Sequence, residues 1–260
     1  MERIDLTDLT ILIPVRVDSI IRLENLFSVV NYLHRHFKTH VMVLEASSYN
    51  NRVISTILGD SIDYTFIKDD DPVFHRTYYL NLLTRRAQTE FVGIWDADAV
   101  IPPPQMQSSM EKLRSTLFDV AFPYNGTFLD TTTIIRKFFV ETGDMNVLYD
   151  NTKKMILPYG TDMRGGAILV NRLKYIESGM ENEKFYGWGP EDWERVGRWA
   201  NLHYKMYKCE GVLYHLSHPR DINGKHNSER QKRRSFYELH KMLNSSSKEI
   251  MAIMSVNTNQ

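Results

Sequence analysis

FVGIWDADAV, from Phe91 to Val100, is an apolar run that ends abruptly in two carboxylates. Phe91 to Trp95 has the β-branched and aromatic content of a fully buried strand, and Asp96 and Asp98 follow it at once. Unpaired acids are costly inside a core, so the pair marks where the chain leaves a sheet. In open α/β sheets that edge, beyond the carboxyl ends of the strands, is where ligands sit. Upstream, Thr10 to Val15 (TILIPV) reads as a strand, and Ser19 to Phe37 has helical spacing through Ile20, Leu23, Leu26, Phe27, Val30 and Leu33. His40 to Leu44 (HVMVL) and Ile62 to Ile67 (IDYTFI) read as further strands, and Tyr78 to Ala87 as a helix leading into the central run. Strands alternating with helices predict an α/β protein with a parallel, doubly wound sheet.

Beyond the two acids, Pro102 to Pro104 break the chain before a helix over about Gln105 to Leu117, and Val120 to Phe122 is a short strand. Arg164 to Val170 (RGGAILV) reads as a strand entered through glycines, Pro190 to Ala200 as a helix with proline in its first turn, and His203 to Cys209 as an alternating strand. From Ser228 the chain is helical and charged. Asn244 to Gln260 trails off in Ser, Asn and Thr, and 246–260 reads as a flexible tail. A length of 260 residues allows one sizeable core, and no internal repeat is visible, so one domain is expected.

Composition narrows the function classes. The 32 basic residues balance 32 acidic ones, so no global field draws nucleic acid or lipid, and partners must be read from local sites. Cys209 is the single cysteine, which excludes an intramolecular disulfide. No apolar run reaches the roughly 18 residues of a membrane span, and MERIDLTDLT is too polar for a signal peptide. The expectation is a cytoplasmic protein, with any membrane contact peripheral and at the inner face. KHNSERQKRR (Lys225 to Arg234) could meet an anionic lipid or polymer, but reads first as a solvated helix face.

Hard divalent cations such as Mn²⁺ or Mg²⁺ prefer carboxylate oxygen and can bridge phosphates, and Asp-x-Asp at a strand end would present two side chains on one side of an extended segment. An isolated Asp-x-Asp is also what a solvated turn looks like. His215 and His218, in YHLSHPRD, shift that balance, because an HxxH spacing can aim two imidazoles at one ion. GWGPEDW (Gly187 to Trp193) combines glycines, aromatic faces suited to a sugar ring and the acids Glu191 and Asp192 at a helix start. Those acids equally suit the helix dipole. Gly165 and Gly166 mark either a tight strand entry or a close backbone approach to a ligand. Arg16 and Arg76 lie near predicted strand ends, where a guanidinium could take phosphate or a uracil carbonyl.

Several segments together resemble one family. ILIPVR (Ile11 to Arg16), FHRTYYLN (Phe74 to Asn81), WDADAVIP (Trp95 to Pro102), LPY (Leu157 to Tyr159), RGGAIL (Arg164 to Leu169), FYGWGPED (Phe185 to Asp192) and HPRD (His218 to Asp221) are similar, in order, to segments of the β-1,4-galactosyltransferases. The likeness extends to polypeptide N-acetylgalactosaminyltransferases and bacterial chondroitin-type polymerases. It implies the GT-A fold, Rossmann-like with a mixed central sheet, over residues 1–245, in an inverting, metal-dependent glycosyltransferase. The nucleotide-binding half would span about 1–100, the acceptor-binding half about 101–227 and a C-terminal helix about 228–245.

By position, the resemblance implies that Pro14, Val15, Arg16 and Arg76 hold the nucleotide of a UDP-sugar, with Asp96, Ala97 and Gly166 also on the donor. Asp98 and His218 match the metal ligands, and His215 falls where vertebrate relatives often carry methionine; the cation would be Mn²⁺ or Mg²⁺. Tyr159, Trp188, Glu191 and Asp192 resemble the acceptor-binding residues, with Asp192 in the place of the catalytic base. The donor sugar would be galactose or N-acetylgalactosamine, and the acceptor a glycan or lipid-linked saccharide of a bacterial surface polysaccharide. The family commonly reads GWGGEDDD where this chain has GWGPEDWE, so Pro190 and Trp193 alter the acceptor pocket. Asp162 and Met163 stand where an aromatic residue helps select galactose, so an N-acetyl group would be tolerated. A sugar nucleotidylyltransferase is the rival enzyme, but ILIPVRVDS lacks the glycine-rich phosphate loop. A non-catalytic nucleotide-sugar or glycan-binding relative is the rival of another class.

Overall fold

The computed structural model of the chain describes residues 2–219 and 224–257. Its strands are β1 (Ile4–Val15), β2 (Phe37–Ser47), β3 (Asp63–Lys68), β4 (Phe91–Trp95), β5 (Ala99–Val100), β6 (Val120–Phe122), β7 (Phe128–Asp130), β8 (Ala167–Asn171), β9 (Met206–Lys208) and β10 (Leu213–His215). Its helices are α1 (Ile20–His36), α2 (Val53–Leu58), α3 (Arg76–Arg86), α4 (Pro103–Arg114), α5 (Thr133–Thr142), α6 (Met145–Tyr149), α7 (Arg172–Glu177), α8 (Glu191–Asn201), α9 (Glu229–Leu243) and α10 (Ser247–Asn257). Seven strands form the central sheet in the order β3-β2-β1-β4-β8-β6-β9.

Side-chain alternation along the strands builds a core on each face. Ile11 and Ile13 of β1 join Val41 and Val43 of β2 under α1 and α4, where Leu26, Val30, Met106 and Met110 are buried. Leu12 points the other way and joins Met42, Leu44 and Ile94 under α3 and α8, against Leu80, Leu83 and Trp199. The strands at the centre are therefore apolar at nearly every position, which is why TILIPV and FVGIW read as unbroken runs.

The alternation of strands and helices predicts a parallel sheet and the family resemblance a mixed one; the sheet is mixed, because β8 runs antiparallel to both β4 and β6. The other contacts in this sheet, β1 with β2 and β4, β2 with β3, and β6 with β9, are parallel. No crossover helix returns the chain to the far edge after β6. Instead β7, α5 and α6 come next, and β8 enters from the carboxyl edge. Its first residue, Ala167, pairs with Trp95, the last of β4, and the Asp96 N–H donates to Gly166 O at 2.9 Å. Reversal of this one strand brings Gly165 and Gly166 beside the two acids.

A second, three-stranded sheet, β5-β10-β7, carries strands of two or three residues. His203, at a φ of 61°, turns the chain in left-handed conformation, so β9 begins only at Met206 rather than at His203. Over the segment whose composition predicts a flexible tail, α10 forms, and its Ile250 is fully buried. Among the described residues no helix is long and apolar enough to cross a membrane.

Candidate active site

Asp96 and Asp98 occupy a tight turn between β4 and β5, closed by the Ala99 N–H donating to Asp96 O at 3.2 Å, rather than the extended segment that their spacing predicts. Their side chains consequently diverge. Asp98, only 4% exposed, faces His215 and His218, whose Nε2 atoms lie 3.3 and 3.0 Å from its two oxygens. The small sheet sets this up: His215 is opposite Ala99 on one side and Asp130 on the other, and the Leu216 N–H donates to Asp98 O at 2.8 Å. Asp130 accepts a hydrogen bond from His215 Nδ1 at 2.8 Å, and the Pro219 carbonyl accepts one from His218 Nδ1 at 2.8 Å. Carboxylate and carbonyl can only accept, so Nδ1 of each ring donates outward, while each Nε2 faces an oxygen of the Asp98 carboxylate.

One ligand atom from each of Asp98, His215 and His218 lies within 4.8 Å of the other two, a spacing that a single ion can bridge. One carboxylate with two imidazoles, one of them backed by a second carboxylate, suits a divalent transition ion. Burial opposes the charge on Asp98 but is outweighed by His215 and His218, which hold this carboxyl well below its ordinary range. Arg22, from α1, adds a cation with Nη1 4.0 Å from Asp98 Oδ2.

Asp96 turns instead to Arg76, the first residue of α3, whose Nη2 donates to Asp96 Oδ1 at 2.6 Å. Burial, with the charges of Asp98 and Asp192 nearby, keeps Asp96 above the usual carboxylate range although Arg76 opposes this. Arg76 Nη1 is buried without a partner among the described residues. Asp192 stands at the start of α8, paired with Arg195 one turn along, and keeps 27% of its side chain exposed. Arg195 is itself fully buried and bonds Glu181 Oε1 at 2.6 Å. Gly165 answers the question its sequence leaves open: a Cβ there would lie 2.0 Å from Asp192 Oδ2, so glycine makes room for that carboxylate. Gly166, at a φ of +80°, turns the chain into β8.

Asp96, Asp98, Asp192, His215 and His218, with Arg22, Arg76, Gly165 and Gly166, line one cavity of about 450 Å³, and Asp130, Glu181 and Arg195 stand behind its wall. Its wall includes Pro14, Val15, Arg16, Arg76, Asp96, Ala97, Asp98, Gly166, Tyr159, Trp188, Glu191, Asp192, His215 and His218, every residue singled out from sequence as a site candidate. The Arg16 guanidinium is already engaged, donating to Ala46 O at 2.9 Å and Asp71 O at 2.5 Å and pairing with Asp69. Tyr159 packs edge-on against Phe128, whose ring centre is 4.7 Å from that of His215. Trp188 and Trp193 are 41% and 40% exposed, which leaves ring surface open to a ligand. Asp221, part of the HPRD likeness, lies outside the described residues.

No protein-family profile and no curated protein sequence matches the chain. Solved structures do. The catalytic domain of Drosophila β1,4-galactosyltransferase 7, in complex with xylobiose, superposes with a TM-score of 0.55 at 14% identity, over 93% of this chain and 82% of that one. Staphylococcus aureus TarS 1–349 with UDP-GlcNAc gives 0.61 at 12% identity, over 95% and 71%. The mannosyltransferase PcManGT of Pyrobaculum calidifontis, with GDP-Man and Mn²⁺, gives 0.51 at 14%, over 96% and 73%. The chain has the GT-A fold. At these identities the likeness concerns the fold, and the site must be argued from its own residues.

In this GT-A fold three site residues escaped the sequence reading. Asp130 lies in LDTTT, on a strand too short to show a period. Arg22 sits three residues past the helix cap Ser19 and reads as surface. Arg195 had a signal, since Asp192 and Arg195 are spaced i, i+3 on one helix face.

Glu191 is a further perturbed acid of the cavity. Burial, with the adjacent Asp192 charge, pushes its carboxyl up to about 8, against the pull of Arg76. Between the ordinary 4.5 and about 8, the folded chain holds a proton that the unfolded chain has lost, so this group's stabilisation fades as pH rises through that window. Glu191→Gln should remove the dependence. The melting temperature of the variant minus that of the parent is expected to grow from pH 5 to pH 8, and a flat difference would contradict a buried, protonated Glu191.

Proposed function

We propose that this chain is an inverting glycosyltransferase that moves galactose or N-acetylgalactosamine from a UDP donor to a hydroxyl of a glycan. The observation that carries the reading is the sharing of one cavity by the Asp98, His215 and His218 cluster and by the partly exposed carboxylate of Asp192. Asp192 takes the proton of the acceptor hydroxyl as its oxygen bonds to the anomeric carbon, and the bond from that carbon to the UDP oxygen breaks. Attack from the face opposite the leaving group inverts the anomeric centre, and no covalent intermediate on the protein is required. Glu191, protonated at neutral pH, offers a hydrogen bond to a second acceptor hydroxyl. Arg195 keeps Asp192 aimed.

Asp98, His215 and His218 would hold a divalent cation, Mn²⁺ in our reading, which when bound supplies Lewis-acid stabilisation of the departing diphosphate. Arg22 and Arg76 add positive charge on the same side. Support for a nucleotide-sugar donor comes from the structural neighbours crystallised with UDP-GlcNAc and with GDP-Man and Mn²⁺. We further propose a role in surface polysaccharide synthesis at the inner face of a membrane, with a glycan or lipid-linked saccharide as acceptor.

Asp130 orients His215 through a hydrogen bond, and loss of such an outer partner typically weakens a metal site about 10- to 100-fold. Asp130→Ala should show that loss in a Mn²⁺ titration; unchanged affinity would remove Asp130 from the site. The reaction itself is tested by supplying UDP-galactose or UDP-N-acetylgalactosamine with Mn²⁺ and an array of glycan acceptors, then assigning the product anomer by NMR. A β-linked product from the α-linked donor is expected. Retained α-configuration would overturn the inverting mechanism, and donor binding without any product would favour a non-catalytic relative.

A further inference from the structure

The inner side of α9 is tied to the end of the cavity where Trp188 lies. Ser235, Glu238 and Met242 are buried where the helix packs on α8, and Gln231 Nε2 donates to the Tyr186 and Trp188 carbonyls at 2.7 and 2.9 Å. Phe236, on the flank of the helix, lines the cavity itself. Helical spacing then turns Arg230, Arg233, Tyr237 and Lys241 away from the core, with Lys232 and Arg234 to either side, and all six are exposed. None of the five cations has an ion pair among the described residues. Of the two acids on the helix, Glu238 is buried with Lys184 Nζ 3.5 Å away, so Glu229 alone offsets them. In a chain whose total charge is zero, the outer face of α9 is a local excess of positive charge. Aromatic rings stand among these cations, Tyr237 being 64% exposed and Phe236 41%.

We propose that the outer face of α9 docks on an anionic phospholipid bilayer and so brings the Trp188 end of the cavity to the membrane surface. This rests on the reading above of a transferase whose acceptor is a lipid-linked saccharide. Unpaired cations along one helix face are drawn to phosphate headgroups, and exposed rings beside them settle at headgroup level. A soluble polyanion would be held by the charges alone and would leave Tyr237 in water, so the rings favour the bilayer. Gln231 holds the Trp188 segment to the opposite side of the same helix, so a docked α9 fixes how far the cavity stands from the lipid.

The test is flotation of the full chain with two kinds of vesicle, phosphatidylcholine alone and phosphatidylcholine mixed with phosphatidylglycerol. Binding is expected only to the anionic vesicles, and it should fall as salt is raised. A cation near such a surface typically contributes about fivefold to partitioning, so the triple variant Arg230→Gln, Arg233→Gln and Arg234→Gln should bind about 100-fold more weakly. Glutamine keeps helix propensity, and melting temperatures report that the variant is folded. Removing two exposed cations elsewhere, Lys153→Gln with Lys154→Gln, should leave binding at the parent level. Tyr237→Ser should weaken vesicle binding several-fold yet leave elution from heparin unchanged. No preference for anionic vesicles, a triple variant that binds like the parent, or an equal loss on removing Lys153 and Lys154 would each overturn the assignment. So would a Tyr237→Ser loss no greater on vesicles than on heparin, which would point to a soluble polyanion instead. Flotation needs neither donor nor ion, so its failure removes the docking face and leaves the transferase reading standing. Absence of UDP-sugar binding in the presence of Mn²⁺ would instead overturn that reading, and with it the purpose given to the docking.

Discussion

Asp192→Asn is expected to lower kcat by about 10²- to 10⁴-fold, the usual contribution of a general base, while leaving the protein folded and able to bind its donor. The substitution keeps size and shape, and an amide oxygen still accepts from Arg195. What disappears is the capacity to take a proton. Because Asp192 stands at the exposed mouth of α8 with 27% of its side chain accessible, no core packing is lost. UDP release at saturating acceptor is the readout. Turnover at the parent rate would show that another group accepts the proton.

The second large effect is on stability. Arg195→Met should destabilise the chain by about 3–5 kcal/mol, because removing one partner of a buried ion pair strands the other. Arg195 is fully buried between Glu181 and Asp192. Glu181, 3% exposed, also accepts from the Tyr175 hydroxyl at 2.5 Å, and its backbone N–H donates to Asn81 at 2.9 Å, so it cannot swing out to water without breaking this network. Urea unfolding measures the loss. The double variant Glu181→Gln with Arg195→Met should recover much of it, since a neutral amide no longer needs the guanidinium. A single-variant loss below about 1 kcal/mol would mean that Glu181 is solvated or protonated, contrary to the geometry.

Much of this molecule is legible in its sequence where the physics is local. The runs TILIPV and FVGIW are apolar at nearly every step because both faces of their strands are covered, and Asp96 and Asp98 mark the sheet edge because only beyond it do they meet the polar partners that offset their burial. The direction of β8 was not legible. AILV reads the same up or down a sheet, and what reverses it is the path through β7, α5 and α6, which no local pattern encodes. The three-stranded sheet escaped for a different reason, since two or three residues hold no period, yet its register is what joins Asp98, His215 and Asp130. Gly165 shows the limit most clearly: sequence leaves strand entry and close approach open, and only the fold shows that the approaching group is the chain's own Asp192. Arg16 illustrates the reverse case, lining the cavity as expected while its guanidinium ties β1 to the segment at Asp69 and Asp71.

The central claim is that a divalent cation on Asp98, His215 and His218 holds the diphosphate of a UDP-sugar. Calorimetric titration of UDP-galactose and UDP-N-acetylgalactosamine into the protein, with and without Mn²⁺ and again with Asp98→Ala, tests it directly. The account predicts binding that requires Mn²⁺ and is lost in the variant; binding that ignores the ion, or that survives Asp98→Ala unchanged, would contradict it.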